Sequence, residues 1–236
     1  MATTSTSTAR EAEWTVLYRV PYQTYVQLRD EPANNHLRMT YDDGTLEIMA
    51  PEFIHEVPSR LLGLIVLAVA SELEIPCTGA GSTTFRRGGK DLDLGKVAAK
   101  RKGKGKEPDQ SFYVANVGFL RGKTKLDLDA GDLPPDLWIE VDYRSSSRSR
   151  LPLYATLLVP ELWRYRARSG RLWFGRLVEG GTYEAIDRSL ALPMLTLSLV
   201  QKALAMSEGL TESAWDRRLR AWVRETLRPP GAGNGA

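Results

Sequence analysis

The chain has 236 residues, a net charge of +3 and 42% hydrophobic residues. This suits one domain with its own core and excludes a protein that is strongly cationic over its whole length. The single cysteine, Cys77, excludes an intramolecular disulfide and fits a reducing, cytoplasmic compartment, where it reads as an inert, partly buried thiol. The longest apolar run, Leu61 to Ala70, is too short to span a membrane, so no membrane partner is expected.

Residues 1–15 are polar and lack an apolar signal core, and read as a disordered tail. A domain is expected over 16–195, two helices over 196–228 and a second disordered, Gly/Pro-rich tail over 229–236. Pro21 to Arg29 reads as a short helix with Tyr25 and Leu28 on one side. Two alternating runs, Leu37–Tyr41 and Thr45–Met49, flank Asp-Asp-Gly and predict a hairpin. The main helix is expected from His55 to Glu74, regular only from Glu56 or Val57 because Pro58 suits a first turn. Its apolar residues lie nearly all round, which predicts burial between a sheet and other elements. His55 and Glu56 stand at its start, where a histidine also serves as a cap or a plain hydrogen-bonding residue.

Residues 81–87 are β-prone. Residues 88–106 then carry seven basic against two acidic side chains, about five net positive charges. This run reads as a basic insertion, kept flexible by Gly103 and Gly105. Lys100, Arg101, Lys102 and Lys104, with Arg148 further on, are candidates for binding phosphates, against the plain alternative of a solvated insertion. Glu107 to Val114 reads as a short strand with Asp109 at its entrance.

Pro134-Pro135 then leads into the strand Asp136 to Asp142. Alternation puts Leu137, Ile139 and Val141 on one face and Trp138, Glu140 and Asp142 on the other. Two carboxylates in an apolar strand are costly to bury unless neutralised, and a hard divalent cation neutralises them well. A solvated edge strand is the equally open alternative. A polar, arginine-bearing loop over 143–150 precedes a helix over 150–157 with Pro152 in its first turn. A hairpin around Ser169-Gly170, a strand over 182–186 and helices over 196–207 and 211–227 complete the expected elements. Arg217, Arg218, Arg220 and Arg224 read as a solvated helix face. With no clean βαβ alternation visible, the pattern predicts an α+β fold, a mixed sheet flanked by helices.

Five blocks carry a family resemblance: Glu107-Pro108-Asp109-Gln110-Ser111-Phe112-Tyr113, Ile139-Glu140-Val141-Asp142, Ser145 to Arg148, Leu151-Pro152-Leu153-Tyr154-Ala155 and Val159-Pro160-Glu161-Leu162-Trp163. In that order they resemble the Uma-two family within the PD-(D/E)XK nuclease superfamily, over about residues 20–190. The resemblance implies a restriction-endonuclease-like core and an Mg²⁺- or Mn²⁺-dependent endonuclease acting on nucleic acid, with DNA the expected substrate and a homodimer left open. It implies Asp109 and Glu140 as metal ligands, the Val141 carbonyl as a third, and His55 or Glu56 near the metal's water shell. The family lysine is expected at 142, where this chain has Asp142, or four residues before Tyr154, where it has Arg150. Arginine stays protonated and cannot serve as a general base, though it can clamp a phosphate; Asp142 is a catalytic candidate that could orient water or bind a second metal. The rival reading is a catalytically inactive nuclease fold that binds nucleic acid or a protein partner. With only His36, His55 and Cys77, structural zinc chemistry lacks ligands.

Overall fold

Alternating apolar residues set most strands and short glycine turns join them. The computed structural model describes residues 14–50, 53–88, 102–143 and 147–228, with backbone alone at 53–55 and 148. The expected tails at 1–13 and 229–236 lie outside the described residues, as do Lys100, Arg101, Arg144 and the side chains of His55 and Arg148.

In chain order, β1 (Trp14–Leu17) precedes α1 (Tyr22–Asp30), then come β2 (Arg38–Asp42), β3 (Thr45–Met49) and the long α2 (Phe53–Glu72). The short strands β4 (Thr78–Gly79), β5 (Phe85–Arg87) and β6 (Lys104–Lys106) lead to β7 (Gln110–Tyr113) and β8 (Leu137–Asp142). The helix α3 (Leu151–Thr156) connects to β9 (Glu161–Arg166), β10 (Arg171–Val178) and β11 (Thr182–Ile186), and α4 (Leu197–Ala205) and α5 (Glu212–Thr226) follow.

The strands form two sheets in an α+β arrangement. One is five-stranded and antiparallel, in the order β1-β3-β2-β6-β5. The other is six-stranded, in the order β11-β10-β9-β8-β7-β4, and is mixed because β8 and β9 run parallel while its other pairs are antiparallel. The expected single central sheet is therefore accompanied by a second one.

The six-residue α3 makes the crossover between β8 and β9, so the chain does contain a βαβ unit. Two further expectations are corrected here. β1 begins inside the expected N-terminal tail and pairs with β3. The backbone of α2 is helical from Phe53, so Pro58 lies beyond the first turn, where its missing N–H leaves one helix bond unmade.

Leu137, Ile139 and Val141 of β8 pack with α2, α4 and α5 in the largest core cluster. Trp138, on the opposite face, packs with Phe85, Leu153, Tyr154 and Leu157. All six residues of β8 are buried, which overturns the solvated-edge reading. A third cluster joins α1 to the five-stranded sheet through Tyr22, Tyr25 and Tyr41. The Tyr25 and Tyr41 rings stack at 5.0 Å, an arrangement that adds about 1 kcal/mol to the area they bury.

The expected face of free arginines on α5 is corrected in part. Arg220 and Arg224 both grip Glu72 of α2, at 3.3 and 2.8 Å.

Candidate active site

The site lies where the two sheets meet, and the peptide Lys106-Glu107-Pro108-Asp109 runs from one to the other. Lys106 ends β6 in the five-stranded sheet. Asp109 stands one residue before β7 in the six-stranded sheet. The β7–β8 register pairs Gln110 with Ile139, so one further step sets Asp109 opposite Glu140. Opposed residues of an antiparallel pair share a face. The Asp109 carboxylate accepts the backbone N–H of Val141, the residue after Glu140, at 2.7 Å.

Glu140 is buried and faces Lys106, with 3.2 Å between Nζ and Oε2; the two side chains are only 9% and 5% exposed. Its other oxygen, Oε1, is buried with no hydrogen-bond partner among the described residues. Burial pushes the Glu140 carboxyl up to about 7; Lys106 pulls against that and the Asp109 charge adds to it. Tyr154 Oη and Trp138 Nε1 are likewise buried without a partner. The charges of Glu140 and Arg150 are both felt at Tyr154, whose hydroxyl burial raises well above its ordinary range. Oxygen and nitrogen atoms left unpaired in a buried region are costly, so a cluster of them marks a place built for a ligand or for ordered water.

The other expected site residues have distinct placements. Arg150 is half-buried beside the cluster and its guanidinium is taken by Glu47 of β3. Asp142 shares the Glu140 face, and its carboxylate is engaged by the loop after β8 and by β9. It accepts the Ser147 N–H at 2.7 Å and hydroxyl at 3.1 Å, and pairs with Arg164 at 2.8 Å. Asp142 therefore braces the loop after β8. Glu56 is exposed, 4.0 Å from Arg38.

The expected flexible basic run is corrected at its end. Lys104 to Lys106 form a strand held between β2 and β5. Lys104 is engaged by Asp42 and Asp43, so its charge is already neutralised. Lys102 is exposed. Gly103 and Gly105 serve close packing, because a Cβ would stand 2.4 Å from the Tyr22 ring at Gly103 and 2.2 Å from Tyr25 Oη at Gly105.

Three contributors escaped the sequence reading. Lys106 was lost among neighbouring lysines. Glu47 lies in the second strand of the predicted hairpin and was not singled out. Glu107 is buried, 3.2 Å from Arg29, and accepts from the Met39 N–H and the Thr84 hydroxyl. The signal that could have found Lys106 is its place three residues before Asp109, on the same extended segment.

Among the described residues, no three His, Cys, Asp or Glu side chains stand close enough to hold a metal together. The site offers two carboxylates, one with an unpaired oxygen. That suits a small hard cation that keeps several of its waters, as Mg²⁺ does with one or two carboxylates.

Fold and site together define an α+β protein with a buried carboxylate–lysine centre at the junction of two sheets. The chain belongs to the Uma2 family, described as "Putative restriction endonuclease", whose sequence profile matches residues 22–207. That span runs from the first residue of α1 to just past α4 and contains every residue of the centre. No curated protein matches the chain.

Proposed function

We propose that this protein is a divalent-metal-dependent endonuclease that hydrolyses phosphodiester bonds of DNA. The observation that carries the reading is Glu140, buried with one oxygen unpaired among the described residues and opposed in register by Asp109. Asp109 and Glu140 would hold Mg²⁺ or Mn²⁺, with the Val141 carbonyl as a third donor. The bound ion would lower the pKa of water and offset charge on the phosphate. The chain's own groups do the rest. The Val141 N–H fixes the Asp109 carboxylate, and the sheet fixes Glu140. Arg150, half-buried beside them and paired with Glu47, holds the turn ahead of α3 against β3. In the reaction the water oxygen bonds to phosphorus and gives up a proton to solvent, the bond from phosphorus to the leaving oxygen breaks, and the leaving oxygen departs as an alcohol with a proton from solvent.

The test is cleavage of supercoiled plasmid and of single-stranded DNA, with and without Mn²⁺. Wild type should cleave only with the ion. Asp109→Asn and Glu140→Gln should each lose cleavage and bind Mn²⁺ far more weakly in calorimetry. Wild type that binds DNA yet neither binds Mn²⁺ nor cleaves would establish the inactive binding fold instead.

A further inference from the structure

We propose that Lys106, rather than Arg150, is the cationic catalytic residue of this centre, its ammonium contacting a phosphate oxygen beside Glu140. The proposal rests on the nuclease reading above. At the two places where the family resemblance expects a lysine, this chain has Asp142 and Arg150. The Asp142 carboxylate is consumed by Ser147 and Arg164. The Arg150 guanidinium is committed to Glu47. Lys106 reaches the same carboxylate from the other sheet, 3.2 Å from Glu140 Oε2.

The support behind Lys106 is rigid. Its backbone is paired on both sides, with Thr40 of β2 and Phe85 of β5. Its ammonium donates to the Glu107 carbonyl at 2.9 Å. Glu107 is itself anchored by Arg29, the Met39 N–H and Thr84. An ammonium has three donors. Glu140 and the Glu107 carbonyl account for two, leaving one N–H for a ligand. A buried, pre-aimed point charge next to a metal-binding carboxylate costs no reorganisation when charge develops on phosphate. Arg150, held by Glu47, is then a positioning residue that ties β3 to the turn ahead of α3.

The experiment compares Lys106→Met, Lys106→Arg and Arg150→Met with wild type and Asp109→Asn, reading plasmid nicking with Mn²⁺ and Mn²⁺ affinity by calorimetry. Lys106→Met should nick about a hundredfold more slowly, about 2.7 kcal/mol of transition-state stabilisation, while binding Mn²⁺ as tightly as wild type or more so. A residue that merely propped up the carboxylates would lose metal affinity along with rate. Lys106→Arg keeps the charge without the compact geometry, and should fall between wild type and Lys106→Met; it also carries the test if Lys106→Met fails to fold. Arg150→Met should lose less than tenfold. Lys106→Met within threefold of wild type, a hundredfold loss confined to Arg150→Met, or loss of Mn²⁺ binding in a folded Lys106→Met would each overturn the proposal. Wild type silent in both readouts would overturn the nuclease reading as well, and is told apart because no variant is then needed to abolish the signal.

Discussion

Glu140 gives the plainest statement at the scale of single residues. Its ordinary value is 4.5, and burial lifts it to about 7 in the metal-free fold, with the attraction of Lys106 already counted. The folded value exceeds the unfolded one, so this group favours the fold fully below about pH 4.5. That contribution disappears as pH rises through the window from 4.5 to about 7, because the folded protein must then carry a buried charge. Glu140→Gln mimics the protonated state. Metal-free wild type and this variant should have similar stability near pH 4, and at pH 8 the variant should be more stable by about 3 kcal/mol. Urea denaturation at both pH values, in the presence of chelator, measures the difference. An unchanged or opposite gap at pH 8 would mean that Lys106 fully compensates the carboxylate. Asp142 behaves differently, because its charge is matched by Arg164 and by two donors from Ser147. Asp142→Ala removes the carboxylate that pairs with Arg164 and should destabilise by about 3 kcal/mol at neutral pH. Mn²⁺ affinity in the folded variant, read by calorimetry, should change by less than threefold.

At the scale of elements, β6 decides the site and shows where the sequence stops being legible. Lys-Gly-Lys has no strand propensity, and flanking lysines and glycines look like a loop. What makes it a strand is tertiary: two neighbours pair with it, and the rings of Tyr22 and Tyr25 lie against Gly103 and Gly105. Gly105→Ala would push a methyl group into Tyr25 and should lower stability by about 2 kcal/mol, read as a drop in thermal midpoint. Because β6 carries Lys106, cleavage should fall as well. A midpoint unchanged within a degree would show that the tyrosine moves aside freely. Elsewhere, local signals sufficed. Asp43-Gly44 and Gly170 mark hairpins, both with positive φ, and the expected helices over 196–207 and 211–227 form, capped by Thr196 and Thr211. The β8 alternation also holds, with Trp138 and Glu140 opposite the Leu137, Ile139 and Val141 face. The helix over 150–157 was legible, but the parallel pairing it makes between β8 and β9 was not, because six residues of helix give a weak βαβ signal. The carboxylates were readable because Pro-Asp and the Glu-X-Asp strand are local patterns. Lys106 and Glu47 were not, since each meets the site only after the second sheet forms.

At the scale of the whole molecule, the centre is a seam. Glu140 and Asp109 belong to the six-stranded side, Lys106 and Glu47 to the five-stranded side, and ion pairs cross between them. A cation held by Asp109 and Glu140 would strengthen the seam at its acidic side and leave the far edges of both sheets untouched. A ligand bound only by the folded state stabilises it by RT ln(1 + [L]/Kd), about 2.7 kcal/mol at a hundred times Kd. The thermal midpoint should therefore rise with the logarithm of Mn²⁺ concentration in wild type and stay flat in Asp109→Asn. Hydrogen exchange locates the effect. Amides of β7 and β8 should gain protection together with those of β6, because Lys106 and Asp109 are joined by only Glu107 and Pro108. Amides of β1 and β11, at the outer edges, should not change except through global unfolding. Protection confined to β7 and β8 would mean that the sheets respond separately and that Lys106 does not move with the carboxylates. Protection spread evenly over all strands would place the ion somewhere other than the seam.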